Sequence, residues 1–258
     1  MKITLGQYIP RESPVHALDS RVKLFVMGLG IAAAFQLDTP VGMISFALMC
    51  LSITLISRIP LARMISGLSP FIWLFAFTAL LHVFMTPGKE ISWLPYATIE
   101  GVESGLKVGS QLIFAIWLST LMTLTTSPLD MVWAMEWYMK PLGFVGVRVD
   151  EIALLIMLAI RFIPLLFEET DRIIKAQKAR GVDLESGGII SRVKALVPIL
   201  VPLLHGVFRR ADDLAVALTL RGYKPGIKRG HLKTSHIKTS DCLIFLVISS
   251  VMSGLMFL

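Results

Sequence analysis

The chain has 258 residues, 55% of them hydrophobic and only 17% charged, with a mean hydropathy of +0.72. That composition excludes a soluble domain with a wet surface and identifies a membrane protein. The formal charge of +7 and pI near 9.6 match the Lys and Arg excess of cytoplasmic loops; without interleaved exposed aromatics they do not make a nucleic-acid surface.

The opening stretch, MKITLGQYIPRESPVHALDSR, is polar and lacks the apolar core of a cleaved signal peptide, so it is expected to stay in place and face the cytoplasm. A spanning helix takes about 20 mostly apolar residues. The first such run is Val22 to Leu37, marked at its lower end by Arg21 and Lys23. Asp38-Thr39-Pro40 then turns the chain into the second, Val41 to Ser57. The third is Pro70 to Met85. The fourth is Leu106 to Thr126, where Lys107 sits at an interface that its stem can reach by snorkelling. A fifth, Cys242 to Leu258, closes the chain. Cys50 and Cys242 both fall inside apolar runs and read as packing residues rather than a disulfide framework or metal ligands.

Two more apolar stretches, Ile152 to Phe167 and Ala195 to Phe208, are short and interrupted: the first by Arg161 and Pro164, the second by Pro198, Pro202 and His205. An arginine at mid-bilayer costs about 2.5–3.5 kcal/mol on insertion scales, so both are read as non-spanning. Charge asymmetry agrees. With the N-terminus inside, the inner side collects Arg11, Arg21, Lys23, Arg58, Arg63 and everything from Ser127 to Asp241. The outer side receives Asp38 and the loop from Thr86 to Gly105, where Lys89 faces Glu90, Glu100 and Glu103. The expected fold is therefore all-α and polytopic, with about five spans. Its parts are residues 1–126 (N-terminal segment and spans one to four), 127–240 (a cytoplasmic domain of about three long helices) and 241–258 (the last span).

Within the insertion, Pro128-Leu129-Asp130 starts a helix that runs to Lys140 before Pro141 and Gly143 stop it. Its apolar and aromatic content suits an interfacial helix or a partner-facing surface. Asp150 opens a second helix, bent at Pro164 and ending at Gly181, with Glu168–Arg172 and Asp171–Lys175 expected as i, i+4 ion pairs. A third, roughly Ile189 to Gly222, repeats the plan. Phe167 precedes Arg180 by 13 residues and Phe208 precedes Arg221 by 13, while Asp171 and Asp212 each follow their Phe by four. A glycine after the last turn and a cation within it are what any helix end favours. Two such ends in matched register ask for more. An arginine fork suits carboxylates and carbonyls in a partner's groove, and two forks suit a partner with two similar sites, such as a pair of related subunits.

Three stretches carry a family resemblance: SPVHALDSRVKLF at residues 13–25, Ala179-Arg180-Gly181, and Leu220-Arg221-Gly222. Together they resemble the transmembrane T component of energy-coupling factor transporters, the cobalt- and biotin-type permeases of vitamin and metal-ion importers. The likeness covers nearly the whole chain. It implies that the two arginine-tipped helices dock into grooves on two cytoplasmic ATPase subunits and pass their movement to a small substrate-binding membrane subunit. Leu220 departs from the commoner Ala-Arg pattern and is expected to alter packing more than partner choice. The Met-rich helix, with Met131, Met135 and Met139, is a candidate surface for the substrate-binding subunit, because Met repacks against differing partners; burial against the chain's own helices is the alternative.

The chain has no phosphate-binding G-x-x-x-x-G-K-[ST] loop, so ATP and its Mg are expected in partner subunits and no cofactor or metal in this chain. His16, His82, His205, His231 and His236 show no paired metal spacing. Asp212 and Asp213 point to different helix sides and read as partners of Arg209 and Arg210. Asp19, with Arg21 and Lys23, reads as an interfacial anchor. Tyr223 to Ser240 reads as a basic tether for anionic headgroups. Two rival classes stay open, a self-sufficient secondary transporter and an intramembrane enzyme; the first needs mid-membrane charges or repeated spans, the second a convergent catalytic cluster, and the spans show neither clearly.

Overall fold

The computed structural model describes residues 8–91, 94–182, 188–227 and Gly254. The expected fifth span with Cys242, most of the basic tether, and His231 and His236 lie outside the described residues. The elements are helices α1 (Pro14–Ala17), α2 (Ser20–Phe35), α3 (Pro40–Ile56), α4 (Leu61–Leu68), α5 (Ile72–Met85), α6 (Ile99–Thr125), α7 (Pro128–Met139), α8 (Val149–Ala179) and α9 (Ile189–Leu220). A small antiparallel hairpin, β1 (Glu90–Ile91) with β2 (Leu94–Thr98), joins α5 to α6. The chain is an all-α membrane protein, as its composition requires. It divides into two compact units, the first extending to Trp137 and the second beginning at Tyr138.

Helix starts in the first unit follow the sequence. Asp19 Oδ1 accepts from the Arg21 amide at 2.8 Å, Thr39 Oγ1 from Gly42 at 3.2 Å and Thr98 Oγ1 from Gly101 at 3.0 Å, each relieving an orphan donor of the first turn. Pro40 sits at the first position of α3, where its missing N–H costs nothing. Asp19 is buried and caps α2, which gives the expected anchor a definite job.

The centre of this unit is α6. Its glycines let backbones approach: a methyl at Gly101 would lie 2.6 Å from the His82 carbonyl oxygen and 2.8 Å from that of Val83, and one at Gly105 would lie 3.0 Å from that of Ala79. Small residues at such spacing are how helices pack where lipid removes the hydrophobic drive to associate. On the other side of α6, Phe114 and Leu118 close over Ala33, Ala34 and Leu37 from the end of α2 and over Phe46 and Cys50 from α3. The Phe46 and Phe114 rings are 5.0 Å apart. Polar groups inside this layer are satisfied. Trp117 Nε1 donates to Thr54 Oγ1 at 3.0 Å, and the Gln111 amide donates to the carbonyls of Phe35 and Leu37, both at 3.2 Å, closing the end of α2.

Several expectations need correction. The third span does not begin at Pro70: α4 continues through a 3-10 turn, Ser69–Phe71, into α5, and Leu61–Met85 is one apolar stretch of 25 residues. Pro70 is tolerated because it occupies the first turn of that 3-10 segment. The fourth span begins at Ile99 rather than Leu106 and runs 27 residues; Thr98 caps it, and the small glycines that hid its first turns from an apolar count are its contact with α5. Lys107 pairs with Asp38. Neither expected i, i+4 pair on α8 forms among the described residues; Arg210 meets Glu169 rather than Asp212 or Asp213.

The N-terminal segment is stitched to the ends of three helices. The Ile9 amide donates to the Leu124 carbonyl at 3.1 Å, and Lys23 Nζ donates to the carbonyls of Thr125 and His16, each at 3.1 Å. Arg11 Nη1 donates to the Arg58 carbonyl at 2.7 Å. Arg58 ends α3 in the left-handed region at φ 57°, a conformation that costs a non-glycine residue about 1–2 kcal/mol and that the bond from Arg11 helps to hold.

Candidate functional site

The second unit is dominated by two long helices. Asp150 and Glu151 stand in the first turn of α8, where acidic groups complement the helix dipole. The helix runs unbroken through Pro164, and α9 likewise contains Pro198 and Pro202.

Both helices end in the same backbone closure. At α8, the Gly181 amide donates to Lys178 O at 3.0 Å and the Val182 amide to Gln177 O at 3.0 Å. At α9, the Gly222 amide donates to Thr219 O and the Tyr223 amide to Leu218 O, both at 2.9 Å. These paired bonds define a Schellman motif, which needs a left-handed residue one past the cap. Gly181 (φ 85°) and Gly222 (φ 73°) supply it. A Cβ at either would meet nothing within 4 Å, so glycine is required by backbone conformation, not by space. Arg180 and Arg221 are the cap residues, with nearly the same dihedrals (φ −86°, ψ 4° and φ −80°, ψ 7°). Both are exposed, as are Ala179 and Leu220, and Leu220 is 83% exposed.

A contact that sequence reading missed sets the geometry of the pair. Arg210 Nη2 on α9 donates to Glu169 Oε2 on α8 at 2.5 Å, while Arg210 Nη1 is buried without a partner. Glu169 and Arg210 are 41 residues apart, as are Arg180 and Arg221, and Phe167 and Phe208. The helices therefore touch at equivalent positions of their repeat, as the halves of a twofold contact do. Each arginine lies 11 residues beyond that contact, about 16 Å at the helical rise. The signal was in the sequence: the register that aligned the arginines also aligned Glu169 with Arg210.

The helices run antiparallel. The Gly226 amide, five residues past Arg221, donates to Glu151 Oε1 at 3.0 Å, at the start of α8; so short a segment cannot reach back from the far end of a 31-residue helix. Arg180 and Arg221 thus point to opposite ends of the pair. They form two separate stubs, equidistant from one contact, and not a shared basic patch.

The methionine candidates share one side of α7 by their spacing of four. Met135 is 48% exposed, and Met131 and Met139 are half-buried, while Val132, Ala134 and Glu136 are buried. Trp137, near its end, lies with its ring centroid 5.6 Å from the Arg21 guanidinium carbon. In the first unit a polar cavity of about 180 Å³ is lined by Tyr8, His16, Asp19, Lys23, Asp130 and Trp133 among others. Burial, with the charge of Lys23, lowers the His16 pKa from its ordinary value near 6.5, favouring the neutral ring. No three His, Cys, Asp or Glu side chains among the described residues gather as a metal site.

The comparison with known proteins accords with this arrangement. A family model described as CbiQ, cobalt transport protein, matches residues 11–232. The "Energy-coupling factor transporter transmembrane protein EcfT" of Thermanaerovibrio acidaminovorans is 39% identical, over 100% of this chain and 96% of that protein. The proteins of the same name from Heliobacterium modesticaldum and Bacillus subtilis are each 40% identical, the first over 96% of this chain and 94% of the relative, the second over 86% and 85%. Membrane-crossing helices in the first unit, two arginine-ended rods in the second and likeness along the full length lead to one conclusion: the chain belongs to the CbiQ family of transmembrane proteins of energy-coupling factor transporters.

Proposed function

We propose that this chain is the coupling subunit of its transporter, spanning the membrane several times with its N-terminus in the cytoplasm. In this reading Arg180 and Arg221 each enter a groove on one of two cytoplasmic ATPase subunits, which bind ATP and Mg and carry the catalysis. The rods pass the motion to a small substrate-binding membrane subunit that selects a vitamin or metal ion, and Met131, Met135 and Met139 contribute to that subunit's contact. The observation that carries the proposal is the duplication. The same Schellman-capped arginine occurs twice, equally far from a contact between equivalent residues, at opposite ends of an antiparallel pair. A single arginine stub is explained by helix capping alone; two placed symmetrically suit two like sites in two like proteins.

Exposed guanidinium groups gain their value when a partner desolvates them, and removing one side of a buried charged contact costs about 2–5 kcal/mol. Arg180→Glu and Arg221→Glu are each expected to reduce copurification of the ATPase subunits by at least tenfold, and the double variant to abolish uptake. Undiminished transport by the double variant, with normal membrane levels, would overturn the proposal.

A further inference from the structure

A short 3-10 turn, Lys140–Val145, follows α7. It carries Phe144, at 96% the most exposed large apolar side chain of the described residues, with Val145 83% and Leu142 44% exposed. The turn is closed on itself. Gly146, left-handed at φ 89°, donates its amide to Gly143 O at 3.1 Å, and Val147 donates to Leu142 O at 3.3 Å. Backbone donors on its far side are thereby used internally, and Pro141 has none to satisfy. Satisfied donors lower the cost of bringing the knob toward an apolar medium.

The position of the turn along the chain says which medium. The apolar helix α6 spans 27 residues, about 40 Å, so its Thr125 end reaches the headgroup region, and α7 starts three residues later. At the other end of α7, Trp137 is stacked under Arg21 at the start of apolar α2. Tryptophan and arginine paired in this way are the usual occupants of the membrane–water boundary. With both ends tied to helix ends of the first unit, α7 runs along the boundary, and seven residues of chain separate Trp137 from Phe144. Exposed Lys140 and Arg148 flank the knob, Arg148 remaining largely exposed although its Nη1 lies 3.5 Å from Glu151 Oε1; one cation on each side of three apolar side chains matches anionic headgroups over acyl chains.

We infer that Leu142, Phe144 and Val145 form a membrane wedge: the knob dips below the headgroups of the bilayer's cytoplasmic face while Lys140 and Arg148 hold anionic lipid. This second anchor is separate from the spans and does not depend on the arginine ends of α8 and α9 binding ATPases. It would fix the segment leading into α8 at the bilayer surface.

The test places a nitroxide at Phe144→Cys in the full chain, with Cys50→Ala and Cys242→Ala removing the native thiols, reconstituted without partners into vesicles of phosphatidylethanolamine and phosphatidylglycerol. Since Phe144 packs on almost nothing, the label should leave folding unchanged. A label at Lys178→Cys, exposed near the end of α8, serves as the aqueous reference. The wedge predicts that the label at 144 collides with dissolved oxygen several-fold more often than with a water-soluble nickel chelate, the reverse of the reference. Preference for the nickel chelate would make the knob a solvent loop, and shielding from both quenchers would make it a protein contact; either result overturns the inference. Adding Lys140→Glu and Arg148→Glu should shift the label toward the nickel chelate in these anionic vesicles. No shift would refute the lipid-holding role of the two cations and with it the wedge as stated.

Discussion

Both units leave apolar side chains exposed, and α5 of the first buries none, but they differ in the core they close behind that surface. In the first, ten of the 27 residues of α6 are buried, its glycines touch the backbone of α5, and Phe46, Phe114 and Leu118 close a continuous core. In the second, α9 is 32 residues long, yet Ile199 is its one buried hydrophobic residue among those described, while Val193, Val197, Leu200, Val201, Leu204 and Phe208 stand about half or more exposed. A helix that satisfies its own face is built to hold its shape; one that leaves the face open is built to be completed by lipid or another chain. Substitutions in the core around α6 should therefore register as lost stability, and those on the open face of α9 as lost assembly.

The largest expected effect tests that division directly. Phe46→Ala removes a fully buried ring, a change that costs about 3–5 kcal/mol in water-soluble cores. Lipid is as apolar as the core, so the cavity and packing part is what remains, roughly 2 kcal/mol. Phe208→Ala, at a residue 67% exposed, should leave the unfolding midpoint in detergent within error of the parent. Comparable losses from the two changes would erase the distinction between the units.

The Glu169–Arg210 pair sharpens the comparison from inside the second unit, since there α8 and α9 hold each other through charge. Both side chains are about one-third exposed, which tempers the interaction. Glu169→Gln should cost about 1–2 kcal/mol of a hydrogen bond to a charged group, and a swap of Glu169→Arg with Arg210→Glu should recover most of it. Faster hydrogen exchange across the middle of both helices in the single variant, restored in the swap, would mark this contact as the hinge pin. An effect of similar local size, confined to fraying of the last turn, is expected at the tips. Gly181→Ala and Gly222→Ala force a side chain into the left-handed region for about 1–2 kcal/mol each, with no steric clash. The Val182 and Tyr223 amides should lose protection while the unfolding midpoint changes little.

Much of this was legible in the residues. Apolar run lengths locate α2, α3, α5 and the body of α6, and Arg-Gly at two equal spacings locates the two stubs. The failures have physical reasons. Gly101 and Gly105 lower an apolar count although they mark a close helix contact, so the apolar run begins seven residues after α6 does. Pro70 signalled a helix start and hid the continuity with α4, because proline fits the first turn of a 3-10 segment as well as that of an α-helix. Local i, i+4 pairing was expected to occupy the charges of α8, but Glu169 found a partner 41 residues away. That last contact lies in the register itself: the 41-residue offset that pairs Arg180 with Arg221 also pairs Glu169 with Arg210. The cavity around His16 had no sequence signal at all; its lining comes from the N-terminal segment, α2, the end of α6 and α7, which only the fold brings together.

That cavity gives the smallest expected effect and probes the seam between the N-terminal segment and the helices of the first unit. His16 bonds Ser13 Oγ through Nδ1 at 2.7 Å and the Ile9 carbonyl through Nε2 at 3.1 Å. Lys23 donates to its carbonyl, and Arg11 adds a second positive charge nearby. The carboxylates lining the cavity, Asp19 and Asp130, do not reverse the balance: burial first, then Lys23, lowers the His16 pKa in the folded chain. The unfolded chain, with an ordinary histidine near pH 6.5, then binds the proton more readily than the folded one. The stabilisation tied to the neutral ring is thus complete above about pH 6.5 and is lost as pH falls through that value toward the lower folded pKa. In denaturation midpoints measured from neutral to mildly acid pH, the parent should show a downward step that His16→Gln lacks. Phe46→Ala should keep the step on a lower baseline, because it empties a different layer of the same unit. A step that survives in His16→Gln would assign the acid sensitivity to another group and leave the seam around the N-terminal segment without a titrating part.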